Sequence, residues 1–166
     1  MTNRKVAVLS LSIALAMILS YVESQIPSPI AIPGVKMGLA NLAVIYTLYS
    51  SGLKDAIIVS LVRVFMLAML FGSGVSLIYS ISGAVLSLAT MVLLKKTAKF
   101  STVGVSVSGG VMHNVGQILA ACVLLETNIL KYYLPFLLIS GVASGVVIGL
   151  AAGQLISRVK LQGQDR

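Results

Sequence analysis

The chain has no tryptophan, one cysteine, one histidine and four acidic residues among 166. With Cys122 alone, neither an internal disulfide framework nor a multi-cysteine zinc site can form. The one histidine is His113, and the acids are Glu23, Asp55, Glu126 and Asp165. Their spacing yields no acid–base pair, no nucleophile–base pair and no metal site. No P-loop occurs, so the chain is not expected to hydrolyse ATP itself. These absences describe a binder rather than an enzyme, with no cofactor implied. Charge is also scarce, at 10% of residues against about 25% in soluble domains.

Apolar surface takes its place. The chain is 58% hydrophobic, with a mean hydropathy of +1.04. A core of this size cannot bury so much apolar surface, so lipid is the expected solvent. The length suggests one domain, 1–166. Charges and Gly/Pro punctuation divide the chain into six helical segments, roughly 5–23, 37–50, 54–72, 75–95, 103–125 and 131–157. The expected class is an all-α, polytopic membrane protein with six transmembrane helices. The second segment is short for a span and is expected to tilt or run past its ends. The first has a basic start like a signal peptide, but no small-residue cleavage site precedes Glu23, so it is read as retained.

The basic residues orient the chain. Six spans put Arg4, Lys5, Lys54, Lys95, Lys96, Lys99, Arg158, Lys160 and Arg166 on one side and only Lys36 and Lys131 on the other. By the positive-inside rule both termini are expected to be cytoplasmic, in the plasma membrane. This distribution also accounts for the net charge of +8 without nucleic acid. Three of the four prolines, Pro27, Pro29 and Pro33, stiffen the outward segment 24–36, which reads either as a lid over a cavity or as an apolar connector.

Polar residues at membrane depth carry the functional signal, because each needs a partner, a ligand or a wet cavity. Arg63 sits in the middle of the third segment with no carboxylate expected at its depth, which favours an anionic ligand over a hydrogen bond to backbone or to Asn114. Lys36 and Asn41 lie at the outer end of the second helix, whose amides attract anions. His113, Asn114 and Gln117 form a polar stretch in the fifth helix, read as a cavity wall in which Asn114 and Gln117, three apart, share a face and His113 and Gln117, four apart, can also be neighbours. Small residues recur every fourth position at Ser12, Ala16 and Ser20, and at Gly141, Gly145, Gly149 and Gly153. The glycine stripe reads as internal packing. The first-helix stripe reads equally as packing or as a docking face for a partner.

Two motifs, "PGVKMGLAN" over 33–41 and "GGVMHNVGQ" over 109–117, make the chain resemble the membrane family described as heptaprenyl diphosphate synthase component I, also called the Gx transporter family. The resemblance runs from about residue 6 to residue 155. It implies a six-helix bundle like the substrate-binding (S) component of an energy-coupling-factor importer. Such a component docks on a transmembrane coupling subunit bound to two ATPases. Its docking stripe maps onto Ser12, Ala16 and Ser20, where a Ser–Ala–Ser series replaces the usual alanine pair. The chain has two distant aspartates, so a DDxxD magnesium-diphosphate site cannot be built and the synthase name does not translate into catalysis here. A small amphipathic anion of isoprenoid type reconciles these readings. Its tail would lie in an apolar cavity and its phosphate near Lys36, Asn41, Arg63, His113, Asn114 and Gln117. The alternatives are a non-catalytic membrane subunit of a prenyl diphosphate synthase and a vitamin-specific S component.

Overall fold

The computed structural model describes residues 3–25, 38–71, 74–127 and 129–164. Among these residues the chain forms six α-helices and no strand: α1 (Asn3–Gln25), α2 (Asn41–Ser50), α3 (Leu53–Phe71), α4 (Gly74–Thr97), α5 (Thr102–Leu124) and α6 (Leu134–Gln164), with a 3-10 turn at Ile129–Tyr133 before α6. Four helical stretches are long and apolar enough to cross a membrane: Lys5–Gln25, Gly74–Thr97, Thr102–Leu124 and Ile129–Arg158. Large apolar side chains cover the outside, among them Leu11, Met69 (81% exposed), Val123 and Ile139. In water such a surface would aggregate; facing lipid it costs nothing.

Of the other two helices, α3 lies where it was expected, and only its three charges, Lys54, Asp55 and Arg63, set it apart from those four; α2 differs from its expected form. α2 has only ten residues, about 15 Å at 1.5 Å per residue, half of a hydrocarbon core. It does not run past its ends to make a span. Instead it is buried among the other helices, with Ala43, Val44, Ile45, Thr47 and Leu48 almost fully covered, and it touches α1, α3, α4, α5 and α6. Its short length has local causes. Gly38 takes a φ of +89° before it and Gly52 a φ of +99° after it, a backbone region that side chains avoid. The Ser51 and Gly52 amides both donate to the Thr47 carbonyl, at 2.9 and 3.0 Å, closing the last turn.

Contacts at the helix ends group the basic residues. Lys5 pairs with Asp55 at 3.1 Å, joining the starts of α1 and α3. The Lys95 ammonium at the end of α4 donates to the Leu48 carbonyl at the end of α2 and lies 4.6 Å from the Tyr49 ring centre. Tyr49 in turn hydrogen-bonds Thr102 at the start of α5. One end of the bundle therefore collects Lys5, Lys54, Lys95, Lys96 and Lys99. An apolar cluster including Ala16, Ile45, Leu48, Val59, Met91, Val105 and Ile148 packs beneath it. A second cluster, Tyr79, Ile118, Ala121, Leu130 and Leu137, joins α4, α5 and α6 towards the opposite end.

α5 is held far more extensively against α4 and α6 than the first three helices are against their neighbours. Glycine makes this possible. A β-carbon at Gly145 would lie 2.5 Å from Val107 Cα, one at Gly149 2.6 Å from Val103 Cα, and one at Gly110 2.7 Å from the Gly141 carbonyl oxygen. On the α4 side, Gly116 faces the Ser82 carbonyl and Gly83. The glycine stripe is thus internal packing, as expected, except that Gly153 meets nothing. The stripe on α1 also turns inward. Ser12, Ala16 and Ser20 are all buried within the chain, which corrects their reading as a docking face. A large-residue face including Leu11, Ile18 and Val22 is what α1 presents outward.

Candidate functional site

The polar residues of α1, α3, α4 and α5 converge in the half of the bundle away from the lysine-rich end. The site begins with Ser20 and Glu23 near the end of α1. On the helix they continue the buried face started by Ser12 and Ala16, so their side chains point into the bundle. Arg63, the eleventh residue of α3, enters from a second side with Val64 and Leu67. Ser80 of α4, His113 and Gln117 of α5, and Gly38, just before α2, supply the rest of the described lining. The space between them is about 20 Å³, room for one water molecule.

Each wall residue has a structural reason to be there. His113 and Gln117 are four apart on α5 and stack along one line towards α4. Gly83 of α4 is the glycine that admits them: a β-carbon there would lie 2.9 Å from Gln117 Cγ and 3.0 Å from His113 Cε1. Gly38 does the same opposite. With its positive φ it leaves space for Asn41 Nδ2, 3.2 Å from where its β-carbon would be, and for His113 Cδ2, at 3.7 Å. The amide of Gly38 donates to Glu23 Oε1, tying the end of α1 to the entrance of α2.

Two donors at this site find no acceptor among the described residues. Arg63 is 5% exposed, and its Nε finds no hydrogen-bond acceptor among the described residues; nor does Asn41 Nδ2. A buried donor left unmet costs about 1–3 kcal/mol, and more when it is charged. Among the described residues Glu23 is the one carboxylate lining the cavity, and it lies close enough to act electrostatically on Arg63.

The sequence-predicted residues divide accordingly. Arg63, His113 and Gln117 line one cavity, and Asn41 lies beside it. Asn114 does not join them. It is fully buried, turned towards α6, where Nδ2 donates to the Leu137 carbonyl at 2.7 Å. The helical turn places residue 114 between the α4-facing and α6-facing sides, and the close approach of α6 at Gly141 captures it. Asn114 is therefore a brace between helices, and the shared face expected for Asn114 and Gln117 belongs to His113 and Gln117. Lys36, and with it most of segment 24–36, lies outside the described residues. The expectation that Arg63 has no carboxylate at its depth is corrected by Glu23. The signal was present: Ser12, Ala16, Ser20 and Glu23 follow the i, i+4, i+8, i+11 spacing of one helix face. Ending α1 at residue 23 hid it, since Glu23 then read as a loop acid.

Among the described residues no group of three His, Cys, Asp or Glu side chains is arranged to hold a metal ion. A family model described as heptaprenyl diphosphate synthase component I matches residues 12–155. No curated protein and no solved structure matches the chain.

Proposed function

The chain belongs to the heptaprenyl diphosphate synthase component I family, and from that premise we propose that it is a non-catalytic membrane component that binds a prenyl diphosphate beside a separate catalytic partner. The observation that carries this reading is the pair of buried donors, Arg63 Nε and Asn41 Nδ2, with no acceptor among the described residues, next to His113 and Gln117. A diphosphate supplies several acceptor oxygens at once, and a guanidinium matches them two at a time. Val64 and Leu67 on the α3 side of the cavity offer the apolar start of a path for the chain of the ligand. The family description, a "component I", supports a second subunit that performs the chemistry. The sparse acidic residues of this chain agree with that division of labour.

In this reading all six helices contribute to a membrane-embedded bundle, α2 as a buried half-helix. The lysine-rich end faces the cytoplasm. That orientation puts the Arg63 cavity in the outward half of the membrane, and this location favours a second reading: an S-type subunit of an importer, working with a coupling subunit and two ATPases. Its docking surface would be the exposed face of α1 rather than the buried Ser12–Ala16–Ser20 stripe.

Affinity purification in mild detergent separates the two. The first reading expects a prenyl diphosphate synthase subunit to co-purify; ATPases in its place would overturn it in favour of the second. The site itself is tested by binding of farnesyl diphosphate and farnesol to wild type and Arg63→Gln. The variant should lose roughly tenfold to a hundredfold in diphosphate affinity, the worth of a charge-assisted contact, while farnesol binding holds. Equal loss for both ligands removes the phosphate-reading role.

A further inference from the structure

As the described residues bound it, the cavity has room for a water but not for a phosphate, yet it already contains an oxyanion. Its 20 Å³ admits a single water, and a carboxylate of the chain itself, that of Glu23, faces the space into which Arg63 projects. Glu23 is 6% exposed, at the last turn of α1, and accepts the amide of Gly38, a backbone donor of the kind that binds phosphate oxygens. Taking the prenyl diphosphate reading as its basis, we infer that Glu23 is a built-in competitor for the anion seat, displaced by the ligand, and that it sets the site's selectivity for polyanionic heads over carboxylates.

The physical argument is one of exchange. A ligand entering the seat must remove Glu23 from the Gly38 amide and from the field of Arg63. A neutral alcohol brings no charge to replace it and leaves Glu23 in the seat, so its binding does not depend on that carboxylate. A single carboxylate replaces Glu23 with its equivalent and gains little. A diphosphate brings more charge and more acceptor oxygens than the group it expels, enough to serve Arg63 Nε and Asn41 Nδ2, which Glu23 leaves without an acceptor. The apparent affinity of every anion that must take the seat is lowered by the fraction of molecules in which Glu23 holds it. The smallness of the cavity follows from the same state: with Glu23 in place, the end of α1 and the entrance of α2 are drawn together at Gly38.

Three probes with one tail test this: farnesyl diphosphate, farnesoate and farnesol, each titrated in detergent onto wild type, Glu23→Gln, Glu23→Ala and the Glu23→Gln/Arg63→Gln double variant. Monodispersity and thermal unfolding verify that each is folded. Wild type should bind the diphosphate and discriminate strongly against the other two. Glu23→Gln should tighten diphosphate binding by about tenfold, since a charge-assisted hydrogen bond no longer holds the occupied state. It should also admit farnesoate, whose carboxylate takes the vacated place. Farnesol should not change, and adding Arg63→Gln should erase both gains. Glu23→Ala should behave as Glu23→Gln, which guards against an effect peculiar to the amide. If wild type binds the diphosphate and the Glu23 variants bind it equally or more weakly, Glu23 is a ligand contact or a strut, and the competitor role is overturned while the anion site stands. A gain shared by all three probes also overturns it, because that reports loosened packing. If no variant prefers diphosphate to alcohol, the anion site falls, and this inference with it.

Discussion

Replacing Gly145 with alanine tests the packing on which the geometry of α5 depends. The added methyl would sit 2.5 Å from Val107 Cα, 3.0 Å from Val107 N and 3.1 Å from the Ser106 carbonyl oxygen. All three are backbone atoms, so no side chain can swing aside, and α5 and α6 must separate to reach ordinary contact. Overpacking of this kind costs about 1–3 kcal/mol. Alanine returns nearly 1 kcal/mol through its helix preference, by rough measure. The net expectation is a loss of up to about 2 kcal/mol, or up to roughly 8 °C in unfolding midpoint for a chain of this length. Gly153→Ala is the internal control. It lies on the same stripe of α6 but meets nothing within 4 Å, so only the helix term remains and stability should hold or rise by up to about 1 kcal/mol. Thermal unfolding in detergent, followed by reaction of a fluorogenic thiol dye with half-buried Cys122, reads both. Equal midpoints for the two variants would refute the claim that glycine is required by helix approach at 145.

Two further outcomes are expected. Asn114→Leu should cost about 1–3 kcal/mol, because it removes the bond to the Leu137 carbonyl and leaves that carbonyl buried. Thermal unfolding should show the loss while diphosphate affinity per folded molecule stays within about twofold, far below the tenfold step expected of a direct contact. A drop in affinity equal to that of Arg63→Gln would return Asn114 to the site. In a Cys122→Ser background, single cysteines at Lys99 and Glu126 should react with an impermeant thiol reagent from opposite faces of the membrane, Lys99 only after cell disruption. Labelling of both in intact cells would overturn the six-span orientation.

Periodicity and composition were good guides wherever the governing physics is local. The apolar runs of α1, α4, α5 and α6 announce themselves because lipid demands long uninterrupted helices. Arg63, His113 and Gln117 were visible as candidates because polar groups at that depth are expensive. What stayed hidden depended on which helix faced which. Asn114 and Gln117 differ by only 60° around α5, and only the approach of α6 at Gly141 separates their roles. Ser12, Ala16 and Ser20 have the spacing of a docking stripe, and the spacing is the same whether the stripe meets a partner or the chain's own core.

The sequence by itself determined the solvent, the helices and the short list of polar residues, since each follows from the free energy of single side chains and short segments in lipid. Tertiary structure decided that α2 is a buried half-helix, that Asn114 braces α6, and that Glu23 shares a cavity with Arg63. The last of these brings residues forty positions apart to one cavity through helix packing, and no local preference of either residue encodes it.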